Sequence, residues 1–367
     1  MNNGGLNKKR EAKRILIAPL DWGLGHATRC IPIIYELLSQ NCTVIIAADG
    51  PTEILLKSEF PKLAFLKLKG YNVQYSQKKS WLQLKILLQL PKIIAAIYYE
   101  HRWLKKTVKE NNIDIIFSDN RFGLFHSSIP SIYITHQLLI KTGNRFTEKI
   151  AQHIHYYFIK KYTNCWVPDF EGNNNLAGEL SYPEKSIYEV KYIGALSRFE
   201  KKNVIEKKYD LLVLLSGPEP QRTIFEKLLL DQLQTFIGTT LFIRGLPGKG
   251  FNNIQQQNVI VKDHLAANEL NEAIQQSKLV ISRSGYTTIM DLVKLQQKAV
   301  LVPTPGQTEQ EYLAQHLTQQ KIFYAAEQDK FMLNDILQEV ENFSFNIPLL
   351  DMQQYKNVMS EFIRSNS

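Results

Sequence analysis

Leu279-Val280-Ile281-Ser282-Arg283-Ser284-Gly285-Tyr286-Thr287-Thr288-Ile289-Met290-Asp291 carries the chain from a short apolar run into the start of a helix. Consecutive Leu, Val and Ile with no alternation suit a strand covered on both faces, as in a parallel sheet. Gly285 then lets the backbone turn sharply and approach a ligand. A helix opening there aims unpaired N–H groups and the positive end of its dipole at what lies in front of it, which is phosphate-binding chemistry. Asp291, four residues after Thr287, shares that face about 6 Å further along the axis, an offset suited to a ribose hydroxyl beside a diphosphate. An ordinary helix capped by a Ser-Gly turn has the same local pattern, so the segment alone leaves both readings open.

Working outward, strand-like runs at 210–215, 240–243, 259–262, 279–282 and 299–302 alternate with helical stretches. The first half shows the same alternation, with strands at 14–19, 43–48, 64–68, 113–118 and 131–135 and helices such as 31–40 and 82–110. Strands alternating with helices predict parallel sheets wrapped on both faces. The fold class is therefore α/β: two doubly wound, Rossmann-like domains facing a cleft. The charged, mostly polar stretch 198–208 follows the strand-like 190–193 and is the expected linker. This divides the chain into 1–197, 198–208, 209–347 and a tail helix over 348–367. Such domains bind ligands outside the carboxyl ends of their strands, so one cleft between them takes a ligand from each side.

With 367 residues, 44% of them hydrophobic and 22% charged, there is enough chain for two separate cores. Residues 1–14 are polar and basic without the apolar core of a secretory signal, and Lys85, Pro91 and Lys92 interrupt 81–99, so no membrane span is expected. Cys30, Cys42 and Cys165 are odd in number and lack metal-ligand spacing, which supports neither a disulfide framework nor a metal site and suits a reducing cytoplasm. The net charge of +9 is uneven: 27 lysines and arginines face 16 acids up to Arg198. A basic first half attracts phosphorylated substrates or anionic lipid. Nucleic acid is not expected, because no recognition-helix, zinc-finger or RNA-binding signature is present.

Three further loops carry chemistry. After the first strand, Leu20-Asp21-Trp22-Gly23-Leu24-Gly25-His26-Ala27-Thr28-Arg29 delivers His26 and Arg29 to a helix start. The third glycine of a dinucleotide fingerprint would fall at Thr28, so NAD binding is a poor reading and no cofactor is expected. A loop histidine acts as a general base at neutral pH or merely satisfies local hydrogen bonds, and both roles stand. Ser216-Gly217-Pro218 offers a hydroxyl and a close amide to phosphate, or is a plain turn. Pro303 to Glu311, which includes Gln307 and Gln310, presents amides and carboxylates suited to sugar hydroxyls, or is a rigid turn before a solvated helix. Convergence of four strand-end loops on one cleft outweighs each loop taken singly.

These residues resemble the GT-B glycosyltransferases, in particular the peptidoglycan N-acetylglucosaminyltransferase and relatives with the same carboxyl-terminal domain. The specific part lies in Arg283-Ser284-Gly285 through Asp291 and in Pro303 through Gln310. The resemblance implies that 1–197 is the acceptor-side domain and 209–347 the nucleotide-sugar domain. It implies that Asp291 holds a uridine ribose, that Ser284, Gly285, Tyr286 and Thr287 surround the diphosphate, and that Gln310 contacts the donor sugar. Tyr192 to Arg198 is similar to the interdomain segment whose arginine reaches the phosphates, which gives Arg198 that role; Ser216 and Gly217 match part of the phosphate loop. Leu265 and Ala266 stand where the base would lie. The Gly-Leu-Gly-His turn followed by Arg29 is closer to the nucleotide-sugar hydrolase of pseudaminic acid synthesis, and Glu311 stands where the peptidoglycan enzyme has a second glutamine.

The expected function is transfer of a sugar, hexosyl or N-acetylhexosaminyl, from a UDP-linked donor to an acceptor hydroxyl with inversion and without a metal. His26 is the expected base, and Gly25, Arg29 and Asp119 are expected on the acceptor side. Hydrolysis of the same donor is the enzymatic alternative. A non-catalytic, membrane-recruited binding partner is the third, because Trp81, Tyr98, Tyr99 and Trp103 alternate with Lys85, Lys92, Arg102, Lys105 and Lys106. The same helix equally packs on a sheet. A saccharide or lipid-linked acceptor and a cytoplasmic site at the inner face of the membrane complete the expectation.

Overall fold

The computed structural model describes residues 12–71, 89–183, 190–203, 205–246, 254–256 and 258–366. Its first half runs β1 (Arg14–Pro19), α1 (Leu24–Ser39), β2 (Thr43–Ala48), α2 (Gly50–Glu59), β3 (Ala64–Lys67), α3 (Leu90–Asn111), β4 (Ile115–Asp119), β5 (Ser131–Ile134), α4 (Arg145–Ile159), β6 (Asn164–Val167) and β7 (Lys191–Tyr192). The second continues with β8 (Tyr209–Leu214), α5 (Gln221–Leu233), β9 (Thr240–Ile243), β10 (Ile254–Gln256), β11 (Val259–Lys262), α6 (Ala267–Gln275), β12 (Ser277–Ser282) and α7 (Tyr286–Leu295). It ends with β13 (Ala299–Leu301), α8 (Thr308–Gln319), β14 (Tyr324–Ala325), α9 (Leu333–Asn342) and α10 (Gln354–Ser365).

The strands form two seven-stranded sheets, ordered β3-β2-β1-β4-β5-β6-β7 and β10-β11-β9-β8-β12-β13-β14. All pairings are parallel except β10 with β11. In each sheet the order reverses beside the first strand of the domain, the place where an open α/β sheet leaves a crevice at its strand ends. Central strands such as Ile115 to Asp119 are buried at every position, because helices cover both faces.

Most expected strands match within two residues. The short strands β6, β10 and β14, the last two at sheet edges, went unread, since two to four residues carry little hydrophobic pattern. The expected helix over 82–110 is α3 from Leu90 onward, and 82–88 lie outside the described residues. Gly285 differs in its reason: at φ −75° and ψ 135° it holds a conformation open to any residue. A Cβ there would meet nothing within 4 Å, so what the glycine leaves is unfilled space ahead of the helix amides. The backbone that requires glycine is at Gly23, φ +144°, just before α1.

The tail does not stand apart. Helix α10 returns to the first domain, where Phe362 meets the rings of Trp166 at 5.3 Å and Phe117 at 6.3 Å. Lys191 pairs with Glu361 at 2.9 Å, and the Gln354 amide donates to the Tyr192 carbonyl at 3.1 Å. Gly194, at φ +76°, lets the chain pass beneath Gln354, whose Cβ would lie 2.9 Å from an added methyl. The chain thus crosses between domains twice. Phe362→Ala is expected to lower stability by about 2 kcal/mol, as truncation of a partly buried aromatic does; chemical denaturation followed by tryptophan fluorescence measures it.

Candidate active site

The expected residues of the first domain gather at the ends of β1 and β4. His26 lies in the first turn of α1, which begins directly after Gly23. Asp119 ends β4 and is buried, and its two oxygens are divided between neighbours. Oδ2 lies 2.8 Å from His26 Nδ1, while Oδ1 accepts from Arg29 Nε at 2.7 Å and from the same guanidinium's terminal nitrogen. Both oxygens of Asp119, expected on the acceptor side, are thus taken up by His26 and Arg29. Burial pushes its pKa up, but Arg29 and His26 together outweigh that and hold the carboxyl below its usual range. It is therefore ionised; a terminal nitrogen of Arg29 also lies 2.9 Å from His26 Nδ1, and with the proton on Nδ1 donated to Asp119 the free lone pair is on Nε2. For His26 burial acts most strongly, pushing the pKa down against the pull of Asp119, with Arg29 adding to the depression. The result is a neutral imidazole, 18% exposed, poised to accept a proton.

Arg29 extends the chain of contacts. Its other terminal nitrogen lies 2.9 Å from Nδ1 of His136, a residue the sequence reading did not single out. A guanidinium only donates, so His136 Nδ1 accepts and its proton sits on Nε2. That Nε2 donates to Glu309 Oε1 at 2.7 Å, across the domain boundary at the start of α8. The His136 ring also stacks on Tyr286, centroids 4.3 Å apart and planes 6° from parallel. Burial works to raise the Glu309 pKa, but His136, His26 and Arg29 hold it below the usual range. His26, Asp119, Arg29, His136 and Glu309 form one polar line from the first domain into the second.

On the second domain, Gly285 precedes α7 with no side-chain cap, so the first amides of that helix have no intrahelical acceptor. The side chains expected around the diphosphate are used otherwise. The Tyr286 hydroxyl donates to the Pro168 carbonyl at 3.0 Å, and the Thr287 hydroxyl donates to the Gly25 carbonyl at 3.1 Å. Both tie α7 to the first domain. Ser284 donates to the Gln310 carbonyl at 2.8 Å. The Gln310 amide is spent inside its loop, accepting from Thr304 N at 2.9 Å and donating to Gln307 Oε1 at 2.5 Å. Glu311 accepts from Gly306 N at 3.0 Å. Glu309, 35% exposed, is the acid of this loop that faces across the cleft.

Asp291 lies one turn into α7, buried, and its Oδ1 accepts from the Ser197 hydroxyl at 2.6 Å. Burial, only partly offset by Arg198 and Ser197, pushes its pKa up to about 6. Arg198 stands near Asp291 and His264, and burial lowers its pKa despite the carboxylates nearby. Its Nε is buried with no hydrogen-bond partner. Arg198 is thus a cation with a donor to spare, its guanidinium 5.1 Å from the centre of the Phe199 ring. Ser216 and Gly217 are exposed, and an added Cβ at Gly217 would lie 3.9 Å from Thr304 Oγ1, itself a buried hydroxyl without a partner. Leu265 is buried in the core and Ala266 caps α6. The structure therefore brings His26, Gly25, Arg29 and Asp119 against the α7 start, with Asp291 and Arg198 to one side and Gln307 and Gln310 to the other. The sequence singled out neither His136 nor His264, and took Ser197 and Glu309 only as members of the 192–198 and 303–311 stretches, because their partners lie far along the chain.

This arrangement, two parallel α/β domains with strand-end loops closing on one cleft, is the GT-B fold of glycosyltransferases. Residues 248–363 match the glycosyltransferase family 28 C-terminal domain. Among solved structures, the glycotransferase of kitacinnamycin is 12% identical, with TM-score 0.62 and coverage of 97% of this chain and 96% of that one. MurG of Acinetobacter baumannii is 13% identical, TM-score 0.54, covering 96% and 99%. The glycosyltransferase VinC, in a complex with dTDP, is 10% identical, TM-score 0.58, covering 96% and 95%. No curated protein sequence matches the chain.

Asp119→Asn is expected to lower stability by about 3 kcal/mol, because it leaves the buried Arg29 charge without its counter-ion. Denaturant unfolding, compared with the less buried His26→Ala, measures the difference.

Proposed function

We propose that this protein transfers a sugar from a nucleoside diphosphate sugar to an acceptor hydroxyl. One observation carries the reading: a neutral imidazole, oriented by a buried aspartate, sits on a turn bonded through Gly25 to the uncapped start of α7. The base of one domain and the anion-binding helix end of the other are thereby adjacent. In this reading His26 Nε2 takes the proton of the acceptor hydroxyl as its oxygen attacks the anomeric carbon. The bond to the diphosphate breaks on the opposite side, which inverts the configuration. Asp119 stabilises the imidazolium that forms. Charge gathering on the departing diphosphate is met by the α7 amides and Arg198, and each such preorganised donor contributes about 3 to 4 kcal/mol. These groups take the place a metal ion would fill, so turnover is expected to survive chelation.

Asp291 accepts from the ribose, and Glu309 offers a carboxylate to the donor sugar, a role the Gln310 side chain leaves unfilled. Similarity favours uridine, and a hexose or N-acetylhexosamine, as the donor. The basic first domain favours a lipid-linked or saccharide acceptor. Helix α3 exposes Ile94, Tyr98 and Tyr99 beside Lys92, Arg102, Lys105 and Lys106, which supports peripheral membrane contact over the described part of 81–106.

The deciding experiment is a panel of nucleotide sugars, scored by thermal shift and by turnover with and without acceptor. A shift with UDP-sugars and acceptor-dependent release of UDP is expected, and His26→Ala is expected to reduce turnover by about 10²- to 10⁴-fold while keeping the shift. Free sugar released equally fast without acceptor would instead make the protein a hydrolase. No shift with any nucleotide would overturn both.

A pH dependence follows from Asp291. Its folded pKa of about 6 exceeds the unfolded value, so the native state binds the extra proton and stability from this group is lost as pH rises through that value. A bound ribose has the opposite preference, since its hydroxyls donate to the ionised carboxylate. Nucleotide affinity is therefore expected to fall about tenfold as pH drops below 6, and calorimetry should find this step absent in Asp291→Asn.

A further inference from the structure

A cavity of about 460 Å³ lies between the loop after His136, the segment 172–182 that follows β6, and α8 of the second domain. Tyr312, Gln315, His316 and Gln319 line it from α8, where spacings of three and four set them on one face of the helix. None of the residues placed at the donor or at the base lines it. Glu309 stands on the same helix two turns before His316, about 10 Å away along the axis. The Lys141 carbonyl accepts from the Thr308 hydroxyl at 2.6 Å, so the loop that walls the cavity also meets α8 beside Glu309. The cavity is a neighbour of the transfer centre, one step further along the domain junction.

Its wall carries no spare charge. The Lys141 ammonium pairs with Glu179 at 2.7 Å and lies over the Tyr312 ring at 4.1 Å. Burial lowers the pKa of His316 against the pull of Asp169 and Glu179, which keeps that imidazole neutral. Two polar atoms of the wall nevertheless lack partners: Asn175 Oδ1 and His316 Nε2 are shielded from water and make no hydrogen bond among the described residues. Asn175 donates its amide to the Gly172 carbonyl at 2.5 Å, which fixes the orphaned oxygen. The Tyr312 hydroxyl accepts from Glu179 N at 2.8 Å, which leaves its own proton to be donated. A buried donor or acceptor without a partner costs stability, and a ligand that supplies the partner removes that cost. Flat surfaces complete the wall. The Tyr312 and His316 rings are within 7° of parallel with centroids 5.8 Å apart, and Tyr182 on the first-domain side is 42% exposed.

We infer that this cavity is a second saccharide subsite, which takes a neutral sugar unit of the acceptor away from the hydroxyl that reacts. A sugar ring offers an apolar C–H face to an aromatic ring and hydroxyls that donate and accept at once. That combination fits phenol and imidazole rings set among the amides of Asn175, Gln315 and Gln319. A phosphate or carboxylate finds no unpaired cation here, and a purely apolar ligand leaves Asn175 and His316 unmet. The reading of the cavity as an acceptor subsite rests on the proposed transfer, whereas saccharide binding itself rests on the wall and not on turnover.

The test is calorimetry and saturation-transfer NMR on the full chain with the neutral probes chitobiose, cellobiose and maltotriose, and with glucose 6-phosphate as the charged control. At least one neutral probe is expected to bind, to stay bound when UDP is added, and to be preferred over the control. His316→Phe keeps the ring and removes both nitrogens. It is expected to weaken that probe at least about tenfold, the loss of one buried hydrogen bond, while the melting temperature holds or rises because an unpartnered buried nitrogen is gone. Gln319→Ala, at an exposed position of the wall, is expected to weaken the same probe without changing the melting temperature. In turnover, an acceptor of two or more sugar units is expected to show a lower KM than the monosaccharide at equal kcat, a difference that His316→Phe removes. Failure of every neutral probe to bind, equal binding by His316→Phe, or displacement of the probe by UDP would each overturn the inference. Probe binding without turnover of any nucleotide sugar would leave the saccharide site standing and remove the transfer reading.

Discussion

The buried pair of Arg29 and Asp119 is the constraint on which the site depends. Two opposite charges, both nearly without solvent contact, sit at the ends of adjacent strands and their following turn. Desolvation makes such a pair costly, so it persists only because every remaining donor and acceptor is taken up. The neighbours that take them up are the residues of the site. One aspartate oxygen holds His26, and the guanidinium reaches His136, which hands its own proton to Glu309. The charge pair thereby sets the tautomer of both histidines, leaving one nitrogen of His26 open to the cleft.

The same economy governs the domain interface. Across it one cluster of buried apolar side chains runs from Ala27 and Ile31 of α1 to Tyr286, Ile289 and Met290 of α7, and its hydrogen bonds are specific: Thr287 to Gly25, Tyr286 to Pro168, Thr308 to Lys141, Ser197 to Asp291. Each involves a residue of a strand-end loop or helix start. The side chains of α7 make the joint, and its amides are left for a ligand.

The family resemblance assigned side chains by position alone. Gln310 was expected to contact the donor sugar; Thr304 and Gln307 take up its amide, and Glu309, one residue earlier, meets His136 across the cleft. Arg198 lies on the segment read as reaching phosphate, and its unpaired buried nitrogen is what such a role requires. Asp119 was legible only as an acid after a strand. That it orients His26 depends on β1 and β4 being neighbours in register, Pro19 beside Asp119, which no local pattern expresses.

The amino-acid sequence by itself determined the strands, the helices and their alternation, hence two parallel sheets, because periodicity and apolar runs are local properties of the chain. It also determined which loops stand at strand ends, and with them the candidates His26, Asp291 and the Ser284-Gly285 turn. Only the tertiary structure decided how those candidates are paired, that α10 returns to the first domain, and that α8 walls a cavity with loops of the first domain. Pairing and exposure are set by contacts between residues a hundred or more positions apart, and the free energy of those contacts depends on burial and orientation that appear only once the sheets have closed on each other.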